Sequence, residues 1–183
     1  MSFRVTFAGS FSTGKTTLAN LFAREWDLPL LPEPAREVLE LGFTLDMNAT
    51  PECETLIFLK QLRNELTHDS FVSDRSMLDV VAYADWVFEH EREARKEDHL
   101  WLESKQIIEL SLRGRYDYVF YLPIEFPIVL DGVRPDDTGF QADIDRRMKS
   151  LLDSHDIEHH TLTGSIEERQ EQVREITGRP LEG

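Results

Sequence analysis

Apolar residues fall along this chain in two alternating patterns, short compact runs and longer stretches spaced by three or four positions. The compact runs lie at 3–8, 28–32, 70–74, 117–122 and 158–162. Tyr118-Val119-Phe120-Tyr121-Leu122 is apolar at successive positions. Side chains alternate faces along a strand, so such a run suits a strand covered on both sides. Phe71-Val72-Ser73-Asp74 reads as a second central strand. Pro29 and Pro32 remove ladder donors from the 28–32 run, which places it near a sheet edge. Between these runs the spacing is helical. Leu18, Leu21 and Phe22 share one helix face, residues 77–113 read as two helices divided near Lys96-Glu97-Asp98-His99, and a further helix is expected at about 141–154. Strands alternating with helices predict an α/β fold with a parallel sheet and helices on both faces. No repeat, low-complexity tract or long linker interrupts the pattern, so residues 1–183 are expected to form one domain.

Composition narrows the setting. A chain of 183 residues can build a core without disulfides, and Cys53 is the only cysteine, so an intrachain disulfide is excluded and a reducing compartment is expected. No apolar run reaches the length of a membrane span, and Met1-Ser2-Phe3-Arg4 leads directly into the first strand; a cytoplasmic location without membrane association is the expectation. The formal net charge of −15 argues against a surface broadly attractive to nucleic acid or anionic lipid, although a local arginine-lined groove stays compatible with it. The charge run 89–98 reads as a solvated helix face. Cys53 reads as a core residue. His159 and His160 are neighbours on a strand and point to opposite faces, so they cannot chelate one ion together. The other histidines lack the spacing of a zinc site.

Gly9-Ser10-Phe11-Ser12-Thr13-Gly14-Lys15-Thr16 matches G-x-x-x-x-G-K-[ST], the Walker A pattern, between a β-prone stretch and a helical one. Its glycines let successive N–H groups face one concavity, and the helix N-terminus adds partial positive charge. Gly9, Ser12, Thr13, Gly14, Lys15, Thr16 and Thr17 are therefore the expected nucleotide-binding residues. Lys15 would reach the β- and γ-phosphates and Thr16 would offer its hydroxyl to Mg²⁺. Asp74 closes an apolar strand as a metal-binding carboxylate does; it lies near the glycine-rich loop if strand 70–74 adjoins strand 3–8, and it could serve as a helix N-cap at the same time. Glu33 ends the second strand, where a carboxylate can take a proton from an acceptor hydroxyl, or can simply be a first-turn acid favoured by the helix dipole. Arg36 and Arg75 follow at helix starts and are candidates for holding the acceptor. Residues 130–140 are charged and turn-forming and are expected to act as a lid. Within them Arg134 is the candidate catalytic cation for the transferring phosphate, and Asp131 is a substrate-side candidate, as lid partner or second-sphere Mg²⁺ group. Arg146 and Arg147 are weaker candidates for phosphate contact.

The combination of Walker A with Pro32-Glu33-Pro34-Ala35-Arg36-Glu37, Ser73-Asp74-Arg75-Ser76, Tyr116-Asp117-Tyr118 and Asp131-Gly132-Val133-Arg134 resembles the small P-loop kinases. It is most similar to the subgroup of the ribosylnicotinamide kinase domain and its phage-encoded relatives. Asp74-Arg75-Ser76 resembles the Asp-Arg-x of thymidylate kinases and the Glu-Arg-Ser of deoxynucleoside kinases, and 161–169 resembles the segment that passes beside their adenine. The resemblance implies a three-layer fold with a five-stranded parallel sheet of order 2-3-1-4-5. It also implies ATP and Mg²⁺ as donor and cofactor, and a nucleoside-like small molecule as acceptor. The lid lacks the fuller arginine set of thymidylate kinases, which favours a hydroxyl over a monophosphate as the acceptor. Two other readings remain open: phosphorylation of 5-hydroxymethyluracil in DNA, as phage relatives perform, and an NTP-hydrolysing switch or binding module. The switch is disfavoured because no Asn-Lys-x-Asp guanine motif is present. A homodimer is compatible with every one of these.

Overall fold

The computed structural model describes residues 2–90, 103, 105–106, 108–109, 112–128 and 136–179. The described elements are β1 (Arg4–Ala8), α1 (Lys15–Glu25), β2 (Leu30–Leu31), α2 (Pro34–Glu40), a 3₁₀ turn (Asp46–Asn48), α3 (Pro51–Leu66), β3 (Phe71–Asp74), α4 (Met77–His90), β4 (Tyr118–Tyr121), α5 (Thr138–Ser154), β5 (His160–Thr161) and α6 (Ile166–Thr177). The strands form one parallel sheet in the order β2-β3-β1-β4-β5. Fold class and strand order are those expected. The edge strands are shorter than their sequence runs. In the 28–32 run only Leu30–Leu31 pairs, because Pro29 and Pro32 flank them and can donate nothing to the ladder. In the 158–162 run only His160–Thr161 pairs. The division expected near 96–99 lies outside the described residues.

Alternation along each strand sorts side chains into two cores, one on either face of the sheet. Val5 and Phe7 of β1, Val72 of β3 and Phe120 of β4 join Leu18 and Phe22 of α1 and Val173 of α6. Phe7 stacks on Phe22 and Phe120, with ring centroids 6.0 and 5.4 Å apart. Ala8, Phe71, Val119 and Tyr121 face the other way, against α3, α4 and α5. His160 lies against Phe120 and His159 against Tyr121, which puts the two imidazoles on opposite sides as expected. Cys53 is fully buried and its thiol donates to the Thr44 carbonyl.

Helix starts follow local chemistry. Thr50 caps α3, with Pro51 at the first helical position, where no N–H is needed. Ser165 and Glu168 form a reciprocal capping box at α6. Asp137 caps α5 by accepting from Phe140 N–H at 2.8 Å, so α5 begins three residues earlier than its apolar spacing suggests. The last part of the 130–140 segment is thus a helix start and not free loop; 129–135 are outside the described residues. A buried polar cluster ties α3 to the other elements: Glu65 accepts from Gln61 and Tyr116, and Arg115 pairs with it at 2.5 Å. Tyr116 Oη in turn accepts the Met77 N–H at the start of α4.

Candidate active site

The loop between β1 and α1 needs glycine at two points. Gly9 has φ +145°, and a Cβ there would stand 2.5 Å from the Leu122 carbonyl oxygen. Gly14 is the N-cap of α1 with φ +97°, and a Cβ would meet Ile166 Cδ1 at 2.9 Å. The rest of the loop is held from outside by three buried side chains. Gly9 N–H donates to Asp79 Oδ1 at 3.1 Å, Gln141 Nε2 donates to the Phe11 carbonyl at 2.7 Å, and Arg169 Nη1 donates to the Thr13 carbonyl at 2.7 Å. Fixing these peripheral groups from α4, α5 and α6 preorganises the loop around its concavity, where N–H groups at a helix start favour an anion. Ser12, Thr13 and Lys15 are buried, and Thr17 is exposed on the outer side of α1.

Lys15 Nζ lies within the loop, donating to the Ser10 carbonyl and, at 3.5 Å, to Thr13 Oγ1. Burial lowers its pKa to about 8, and the nearby Arg75 cation adds to the effect, while Asp79, Asp74 and Glu33 oppose it. It therefore stays mostly protonated at neutral pH, yet poorly compensated by the protein, as suits a cation that is to meet phosphate. Asp74 pairs in register with Phe7 of the adjacent strand, which brings it to the carboxyl end of β3 beside the loop. Its Oδ1 is buried without a partner among the described residues, and the Thr16 hydroxyl hydrogen-bonds the same carboxylate. Burial raises the Asp74 pKa, with the Glu33 carboxylate as the next contribution. An orphaned buried carboxylate oxygen beside a Walker A hydroxyl fits Mg²⁺, which takes only one or two protein groups and completes its shell with water and phosphate oxygens. No group of three or more His, Cys, Asp or Glu forms a metal cluster among the described residues.

Glu33 is the N-cap residue of α2 and is nearly buried. Its carboxylate lies 2.5 Å from Arg75 Nε and 3.7 Å from Arg36 Nε, so three of the expected acceptor-side residues meet at one point. Arg75 adopts φ +87°, a left-handed backbone that a non-glycine residue rarely takes, with its carbonyl held by Thr6 Oγ1 and Ser73 Oγ. Its guanidinium lies over the Tyr83 ring, 4.7 Å from the centroid, and the Glu33 carboxylate holds its pKa well above the ordinary value against the penalty of burial. From this cluster a cleft of about 630 Å³, partly open to solvent, runs between α2, the 3₁₀ turn, α3 and α4. Its walls are apolar at Phe11, Leu45, Ile57 and Val80.

Asp131 and Arg134 lie outside the described residues. Arg146 pairs with Asp143 and Arg147 with Glu89, both at acids on the helix surface and not with the loop. Three residues that hold the loop escape sequence reasoning. Asp79 had a signal: Ser76-x-x-Asp79 before an apolar run is a capping-box pattern, and Ser76 and Asp79 do bond reciprocally. Arg169 shares a helix stripe with Val173, yet on a helix this polar it reads as one more surface arginine; it is fully buried. Gln141 carried no sequence signal.

Several solved structures share this architecture. NadR in complex with NAD and AMP-PNP superposes with a TM-score of 0.70 at 20% identity, and NadR in complex with NR with 0.71 at 21%; each alignment covers 100% of this chain and 51% of NadR. The chain thus spans about half the length of NadR. The deoxyadenosine kinase of M. mycoides with bound dATP gives 0.60 at 10% identity, covering 95% of this chain and 98% of that one. The thymidylate kinase of Ehrlichia chaffeensis gives 0.59 at 16%, covering 96% and 98%. At these identities the likeness is one of fold. Curated protein sequences yield no match. The family model of the AAA domain matches residues 4–169, from the first strand through the buried arginine that clasps the glycine-rich loop, and the chain belongs to that family.

Proposed function

We propose that this protein is an ATP-dependent phosphotransferase that moves the γ-phosphoryl group to a hydroxyl of a nucleoside- or nucleotide-type acceptor. One observation carries the reading: the Glu33–Arg75 pair opens directly from the Lys15 and Asp74 side onto a second, apolar-walled cleft. A nucleotide switch has no use for such a cleft; a two-substrate transferase requires one. Lys15 would neutralise charge on the β- and γ-phosphates. Thr16 and Asp74 would hold Mg²⁺, which when bound neutralises phosphate charge. Arg75 would keep Glu33 oriented, and Glu33 would accept the proton of the attacking hydroxyl as its oxygen bonds to the γ-phosphorus and the bond to the β,γ-bridging oxygen breaks, releasing ADP. Arg36, half-exposed at the rim, would hold a polar part of the acceptor. The relatives support the donor: NadR has been solved with AMP-PNP and deoxyadenosine kinase with dATP.

The test is to incubate the protein with γ-labelled ATP and Mg²⁺ against nucleosides, nucleoside monophosphates and 5-hydroxymethyluracil-containing DNA. Label is expected on a free nucleoside-type acceptor. Label on DNA alone would move the reading to modified DNA. Release of free phosphate alone, whatever acceptor is supplied, would overturn transfer in favour of hydrolysis.

A further inference from the structure

Glu54, in the first turn of α3, is 2% exposed and lines the same cleft. Its Oε2 is buried and meets no hydrogen-bond partner among the described residues. A buried carboxyl oxygen without a partner is costly to keep, and the cleft that Glu54 lines gives a ligand access to it. We propose that Glu54 is the specificity-determining residue of the acceptor cleft, reading the ring edge of the acceptor through hydrogen bonds to its carboxyl group. The proposal rests on the two-substrate reading above and adds to it which end of the cleft selects the acceptor.

The surroundings decide in which form the carboxyl acts. Arg75, from the β3–α4 junction, is the cation facing it, but that guanidinium is already engaged by Glu33 and stacked on Tyr83. Asp46 in the 3₁₀ turn faces it with like charge, Cys53 neighbours it on its own helix, and Asp79 and Arg36 share the cleft from α4 and α2. Burial, more than any of these, pushes the carboxyl up to about 8, Arg75 opposing and Asp46 reinforcing. At neutral pH Glu54 is then an uncharged acid with one O–H donor and one carbonyl acceptor. That pair complements a heterocycle edge presenting an acceptor and an N–H side by side, the lactam or amidine edge of a nucleobase. Apolar Ile57 and Val80 and the Tyr83 ring supply flat walls beside it. Among the described residues that line the cleft, Glu33, Asp46 and Asp79 stand against Arg36 and Arg75, a balance that suits an uncharged acceptor better than a dianionic monophosphate.

Equilibrium dialysis of the wild type, Glu54→Gln and Glu54→Leu at pH 7 and pH 9 tests this without catalysis. The probes are thymidine, uridine, deoxycytidine, deoxyadenosine and deoxyguanosine. At least one is expected to bind. Glutamine, which also pairs a donor with an acceptor, should keep that affinity within about three-fold, and leucine should lose at least ten-fold. Wild-type affinity should fall about ten-fold from pH 7 to pH 9 as the carboxyl ionises, and the glutamine variant should stay flat. The proposal is overturned if no nucleoside binds, if leucine binds as the wild type does, or if glutamine loses as much as leucine. A Glu54 failure with label still transferred to a nucleoside would leave the kinase reading standing; binding without any transfer would do the reverse.

Discussion

Asp79→Asn probes the link between α4 and the phosphate loop. In the wild type Oδ2 accepts from Ser76 N–H at 2.8 Å and Ser76 Oγ at 2.6 Å, while Oδ1 accepts from Gly9 N–H at 3.1 Å. Asparagine keeps the shape but has one oxygen. Ser76 presents two donors to the side chain, its N–H and its hydroxyl, and Gly9 presents one, so the carbonyl stays at Ser76 and the amide NH₂ then faces the Gly9 N–H, donor against donor. The variant therefore loses one bond to a charged acceptor and leaves a buried backbone donor unpaired, at a cost of about 1.5–3 kcal/mol. For a domain of this size that is a fall in Tm of about 3–12 °C. Because the orphan is Gly9, the damage concentrates at the start of the loop, and the Kd for a non-hydrolysable ATP analogue should rise by at least about ten-fold, equivalent to roughly 1.4 kcal/mol. Thermal melts followed by circular dichroism, with calorimetric titration of the analogue, read the two effects separately. A variant that melts within a degree of the wild type and binds the analogue equally would refute the idea that Asp79 holds the loop.

Lys15→Ala should cut transfer by at least about 10²-fold, while stability holds or rises because a poorly compensated buried cation is removed; turnover and melting temperature measured together check this. Glu33→Gln should lower kcat on the acceptor more than it alters ATP affinity, and equal losses in both would place Glu33 on the donor side or in a structural role. Glu54 also makes a stability prediction. Its carboxyl moves from an ordinary 4.5 to about 8 on folding, so the native state binds more protons than the unfolded chain between those values. Stability from this group is then greatest below pH 4.5, declines as pH rises, and levels above about 8, the full span being on the order of 4–5 kcal/mol. Glu54→Gln removes that slope, so its melting temperature relative to the wild type should climb across this range; a constant difference would contradict the assignment.

Much of the architecture was legible in the chain because its causes are local. Compact apolar runs marked the strands, helical spacing marked what lies between them, and the prolines at 29 and 32 announced a strand near the sheet edge. The glycine-rich loop was equally legible: a turn that forces φ +145° at Gly9 can be written only with glycine. The place of Asp74 beside the loop hung on a condition about neighbouring strands, and the β1–β3 register met that condition. The start of α5 was missed because its cap, Asp137, sits in a run whose composition reads as loop.

The tertiary structure decided whatever depends on where distant residues meet. Arg169 lies 156 positions from the Thr13 carbonyl it holds, and Gln141 lies 130 from Phe11, separations at which sequence spacing says nothing about contact. It also decided which charges act as charges. Glu33, Arg36 and Arg75 are separate acceptor-side candidates in the sequence, and only the fold brings them together at one mouth. Glu54 in the sequence is a first-turn acid that the helix dipole would keep ionised. Buried in the cleft with its oxygen unpaired, it becomes a group that favours its proton, since desolvation outweighs both the dipole and the arginine nearby.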